Sequence, residues 1–388
     1  MPAKDEIESD CHYKELENKK DTSEESTNNG PEKKITQSVL FALLAGLWFA
    51  TGNYIIGQGS ALGFIALYAA NVGNLVFAVI YYLYYALVRL YKNEHIWTWK
   101  ESNYRHPEGG LNNFNILMLA LYTLANIVAY TLVVFWFKFA LTAEINQGII
   151  TSIFGLVSFF SAVGAYIVFK EKLKRSYLIG MIFMIICVLC IALSSSNKSI
   201  EPDKNNIGSI LPDFVDDQNA QLTTIPMNTS SYQNNTEFVI LAIVFGILCP
   251  ISFCMASLVV LTASRGPKLK PGAKFNKIDS TDLTVWNYVT TNIIFVLCSI
   301  IQFQVGSHPF DPAEYFQISA GGFICALGVV VLNYALVIGY VGPVFAISTV
   351  QVIFQAVLDI IFLGQLPNIV QIIGSLFGIA GAITMTLF

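Results

Sequence analysis

Three polar side chains, Gln351, Gln355 and Asp359, lie four residues apart in "QVIFQAVLDIIF", an otherwise apolar stretch. On a helix each step of four advances only ~40° around the axis, so the three share one face, with Ser348 close to it. An ionised group in hydrocarbon costs at least ~2.5–3.5 kcal/mol, so Asp359 is expected to face a bundle interior or a wet cavity. Such a stripe makes a hydrophilic wall on which Asp359 holds a cation or a proton. An acid hydrated from the nearby membrane interface and paired for structure fits the same spacing, and both readings stand at this point.

A second stripe, Tyr122, Asn126 and Tyr130, follows the same i, i+4, i+8 pattern. Aromatic faces interrupted by an amide suit small organic solutes. Asn53, in "TGNY", adds an amide to another apolar run. The candidate solute contacts are therefore Asn53, Tyr122, Asn126, Tyr130, Gln351, Gln355 and Asp359. Asn71, Asn74, Asn287, Asn292 and Asn333 are also intramembrane amides, for which bonding to a neighbouring helix is the expected role.

Catalysis and metal binding find no support. His12, His95, His106 and His308 all fall outside the apolar runs, so no histidine cluster forms at membrane depth. No Gly-rich loop precedes a Lys-Ser/Thr pair, which argues against a nucleotide-driven pump. Neither an enzyme nor a cofactor is expected. Cys187 and Cys190 form a C-x-x-C inside an apolar run with no polar neighbour, which reads as packing.

The elements that position these residues follow from composition. The chain is 54% hydrophobic and 12% charged, with a mean hydropathy of +0.58, outside the range of a soluble domain. Runs long enough to cross ~30 Å of hydrocarbon recur ten times. They cover approximately 38–57, 62–90, 114–137, 147–169, 176–193, 238–261, 283–303, 316–339, 343–363 and 369–388. The expected fold is an all-α polytopic membrane protein.

Residues 1–36 form a charged, polar tail expected to be disordered and cytosolic. The tail has no apolar core of a signal peptide, so the first span is expected to act as its own signal-anchor. With that tail in the cytosol, the inner segments carry nineteen Lys and Arg and the outer ones only Lys138, Lys198 and Lys204. This bias sets the orientation and puts both termini in the cytosol. Asn197, Asn228 and Asn234 begin Asn-X-Ser/Thr sequons, and all fall in the outer loop 195–236. A glycosylated protein of the secretory pathway or plasma membrane is expected.

The two sides of that loop resemble each other. A shift of 194 residues aligns "FSAV" (160–163) with "FQAV" (354–357) and "LIGMIF" (178–183) with "IIGSLF" (372–377). It also aligns Gly148 with Gly342 and Glu171 with Gln365. Five crossings per copy make the second copy enter the membrane from the opposite side, as two inverted five-helix repeats, 37–194 and 237–388. Such repeats place a solute path at their interface.

The run through Glu171-Lys172-Leu173 and on to Gly180 resembles the fourth and fifth helices of an EamA-like repeat in the drug/metabolite transporter superfamily. The second copy keeps the corner as Gly364-Gln365-Leu366 and the glycine as Gly374, with Gln365 in place of the acid. The resemblance implies a ten-helix transporter with a central cavity and with its fifth and tenth helices at the periphery. The function expected is secondary transport or exchange of small organic solutes by alternating access. Metabolites, amino-acid-like, nucleobase-like and cationic compounds are the candidate solutes. A nucleotide-sugar or phosphorylated-sugar exchanger is the alternative, ranked lower for want of cations inside the spans. A non-transporting scaffold or receptor is the alternative from another class. The expected partners are a small-molecule solute and the lipid bilayer, with no nucleic acid. Proton coupling and a homodimer stay open.

Overall fold

The computed structural model describes residues 31–58, 63–94, 102–105, 110–142, 154–171, 175–196, 235–266, 277–305, 311–363 and 369–387. The three sequons, the first part of the expected fourth span and the Gly364-Gln365-Leu366 corner lie outside them, as does the tail through residue 30.

The described residues fold into helices. They are α1 (Pro31–Gln58), α2 (Phe64–Tyr91), α3 (Asn113–Thr142), α4 (Leu156–Phe169), α5 (Arg175–Ser196) and α6 (Asn235–Arg265). There follow α7 (Ser280–Val305), α8 (Pro312–Ile338), α9 (Val341–Ser348), α10 (Gln351–Leu363) and α11 (Ile369–Leu387). Seven runs are long and apolar enough to cross a membrane, the one through α9 and α10 included. Shorter apolar stretches lie in α4, α5 and α11. Among the described residues the only β feature is an isolated bridge between Arg105 and Leu111.

Apolar side chains face outward and amides face inward, the reverse of a water-soluble bundle. Leu87 and Ile301 are 64% and 62% exposed, while Asn71, Asn126, Asn292 and Asn333 are buried. In lipid the outer face needs no polar cover, and polar groups are stable only where other protein groups meet them.

Close approach of backbones replaces hydrophobic drive as the source of cohesion. Helix α8 packs along both α1 and α2. A methyl group at Gly322 would overlap the Ala70 carbonyl, and one at Gly73 the Ser319 carbonyl. The Ser319 hydroxyl donates across this seam to Ala69 O at 2.8 Å. On the other side of α8, Gly52 of α1 lies against Gly321 and Cys325. Helix α3 packs on α6, where Gly246 accommodates the indole of Trp136. Helix α5 packs on α11, joined by Phe183 and Phe377 at 5.9 Å and by Cys187 against Gly378. That contact fits the packing role expected for Cys187.

Two local departures from regular helix shape the middle of the bundle. Between α9 and α10 the Ser348 and Thr349 hydroxyls fold back on the carbonyls of Phe345 and Ala346, at 2.8 and 2.6 Å. The chain then tightens to i→i+3 bonds, such as Val352 N–H to Thr349 O at 3.0 Å. At the start of α4, Ser158 N–H bonds to Gly155 O at 3.2 Å, a pair 194 residues earlier in sequence. The end of α4 is set by Lys170, left-handed at φ 55°, which turns the chain into Glu171.

Candidate solute site

A cavity of about 690 Å³ occupies the centre of the bundle, with walls from α1, α2, α3, α4, α6, α7, α8, α9 and α10. Asn53, Tyr122, Asn126, Tyr130, Gln351 and Gln355 all line it. The two stripes read from the sequence therefore face one space, although they come from helices more than 200 residues apart. Asp359 continues α10, but its side chain lies outside the described residues.

Along α3 the wall runs from Tyr122 to the exposed Lys138, a rise of ~24 Å. Lys138 is the charged member of the wall among the described residues. The irregular joints before α4 and between α9 and α10 both contribute, through Phe154 on one side and Ser348 and Thr349 on the other. Irregular backbone at membrane depth is stable where it borders such a cavity.

The amides serve less uniformly than expected. Asn333 does bridge helices, donating to the Tyr122 hydroxyl of α3 at 3.0 Å and to Thr284 Oγ1 of α7 at 2.8 Å. Asn71, Asn126 and Asn292 instead donate to carbonyls one turn back in their own helices, Leu67, Tyr122 and Tyr288. The i−4 carbonyl of the same helix lies within reach of these amides, which corrects the expectation of inter-helix bonds at Asn71 and Asn292.

The Tyr122–Asn333–Thr284 junction floors the cavity, and a charged cluster lies beyond it. Arg265, ending α6, pairs with Glu171 at 2.5 Å. The same guanidinium donates to Leu336 O and Gly339 O at the end of α8. It lies 5.9 Å over the Phe169 ring. Glu171 also accepts from Val341 N–H, at the start of α9, at 3.5 Å. One ion pair thus ties the ends of α4, α6 and α8 to the beginning of α9.

At the same end, the segment between α2 and α3 docks on α7. Asn103 donates to the Asp282 carboxylate at 2.9 Å, and the Tyr104 ring packs on Trp286 at 5.9 Å. Burial pushes the Tyr104 phenol well above its ordinary pKa, and the nearby Asp282 carboxylate adds to the shift.

Sequence reading placed Ser348 near the wall but missed Thr349 and the Arg265–Glu171 pair. For the pair, the Glu171-Lys172-Leu173 corner was a signal; nothing local pointed to Arg265 as its partner.

A helical bundle with an apolar exterior and a central cavity set with amides and hydroxyls defines an integral membrane protein. Residues 272–387 match the EamA-like transporter family, which belongs to the drug/metabolite transporter superfamily. The matched region runs from just before α7 through α11. A solved structure titled "Crystal structure of protein" shares the fold, with a TM-score of 0.58 and 13% identity over 90% of this chain and 96% of that one. No curated protein matches the chain.

Proposed function

We propose that the protein is a secondary transporter of small organic solutes, working by alternating access between two inverted five-helix repeats. The carrying observation is the central cavity, floored by a polar junction and backed by the Arg265–Glu171 ion pair between the two halves. A cavity closed in this way at one end is what an alternating-access carrier requires of each of its states.

The pairing of helices supports the repeat. Helix α1 packs on α8 as α6 packs on α3, and α4 meets α6 as α9 and α10 meet α1. The fifth helix of one half packs on the last helix of the other. Gly52 and Gly246, 194 residues apart, each sit at one of the matching seams.

A carrier of phosphorylated sugars would need several cations around its solute. Lys138 is the one such side chain among the described lining residues, which leaves that reading weaker. A scaffold would not need an amide-studded cavity of this size.

Asp359 is the candidate coupling group for protons, and both termini are cytosolic in this reading. The decisive experiment is uptake into reconstituted vesicles from a panel of small organic solutes, with and without a pH gradient. Accumulation of one solute class above empty vesicles supports the proposal; a panel that equilibrates no faster than the bare bilayer overturns it. Glycosylation at Asn197, Asn228 or Asn234 in cells, with cytosolic tags at both ends, tests the orientation.

A further inference from the structure

The cavity groups that lack a hydrogen-bond partner among the described residues describe the ligand they suit. Asn71, Asn126 and Asn333 use their amide donors on neighbouring protein atoms. Gln351 and Gln355 make no side-chain hydrogen bond with the described residues, although Gln355 is only 9% exposed. Each carboxamide sets N–H donors beside a carbonyl acceptor. Two of them one turn apart on α10 form an edge that is complete only when a solute supplies an acceptor and a donor of its own.

Flat surfaces line the same cavity. Tyr130 and Phe253 both line the cavity, their rings 6.1 Å apart and nearly perpendicular. The charged lining side chain among the described residues is Lys138, ~24 Å along α3 from Tyr122, and no carboxylate or guanidinium lines the cavity there. A charged solute at mid-membrane would lose its water without an opposite charge to replace it. An uncharged one loses far less and regains its hydrogen bonds at Gln351 and Gln355.

We propose that this cavity selects uncharged, planar solutes with a donor and an acceptor side by side, as on the edge of a pyrimidine or purine base. Gln351 and Gln355 read that edge. The proposal deepens the transport reading and rests on it only in taking this cavity as the solute site, so binding can be measured apart from movement.

The test uses the full chain purified into lipid nanodiscs and equilibrium binding of radiolabelled uracil and adenine. The competitors are 1,3-dimethyluracil, which keeps the ring but lacks N–H donors, uridine monophosphate and an aromatic amine cation. A base should bind, and dimethyluracil should compete at least about tenfold more weakly than uracil, because a site built to hydrogen-bond an N–H rejects the analogue without it. Gln351→Leu combined with Gln355→Leu should remove that preference while the protein stays monodisperse. Varying the ligand on the unaltered protein gives the same readout if the double variant does not fold. Equal competition by dimethyluracil, a preference for the charged competitors, or no binding of either base overturns the proposal. Bases that bind with the expected preference but are not carried into vesicles would sink the transport reading and leave this one standing. Vesicles that move only charged solutes would do the reverse.

Discussion

Arg265 and Glu171 meet 94 residues apart in sequence, and the guanidinium that holds the carboxylate also caps the last carbonyls of α8. These bonds are largely shielded from solvent, and hydrogen bonds to charged groups are worth about 1.5–3 kcal/mol. In the alternating-access reading proposed above, the pair is what holds this end of the bundle shut. Glu171→Gln should weaken the closure and shift the ratio of the two open forms by about tenfold or more. The measure is the labelling rate of Thr284→Cys from the side where α4, α6 and α8 end. An unchanged rate in well-folded protein would show that the pair serves cohesion and not closure.

The wall of the cavity predicts a contrast along α10. Gln351→Cys and Gln355→Cys should react with a small hydrophilic thiol reagent, because a thiolate forms where water reaches it. Ile361→Cys, on a residue 66% exposed on the outer face, should react far more slowly once the protein is in lipid. Equal rates at all three positions would mean that α10 presents no wet face.

Asp359 poses a separate question. If it carries the coupling proton, Asp359→Asn fixes the neutral form. Uptake driven by a pH gradient should then fall sharply, while exchange at equal pH survives. A purely structural acid would lower the yield of folded protein and leave gradient-driven transport per folded molecule intact.

The seam between α2 and α8 has no room for a side chain. Gly322→Leu should force the two backbones apart and destabilise the bundle by about 1–3 kcal/mol or more. Thermal unfolding of the purified protein should show the midpoint falling by several degrees. Leu83→Ala, on the lipid-facing side of α2, should leave it nearly unchanged.

Membrane helices betray their polar positions, because each amide in an apolar run is conspicuous and helical spacing assigns it a face. That is why Tyr122, Asn126 and Tyr130, and likewise Gln351 and Gln355, could be grouped before any coordinates, and why both groups reach one cavity. Partner choice is another matter. Asn126 bonds its own Tyr122 carbonyl while Asn333 crosses to Tyr122 and Thr284, and nothing in either sequence neighbourhood distinguishes the two. Arg265 was legible only as one more basic residue beside a span, since its three acceptors come from two distant segments. Gly73 and Gly322 likewise read as ordinary glycines in apolar runs until the backbones that touch there are known.

The pairing of α5 with α11 bears on how two halves of this kind are able to move. Among the described residues neither helix lines the cavity, and in the proposed repeat each belongs to a different half, so their contact would clasp the halves away from the solute. Bodies joined along such a line have little freedom to slide or separate; what remains is rotation about it. Phe183 and Phe377, in contact at 5.9 Å, would then act as a pivot whose separation hardly changes through a transport cycle. A disulfide formed between Phe183→Cys and Phe377→Cys should leave turnover intact, whereas a covalent tie across the cavity mouth would arrest it.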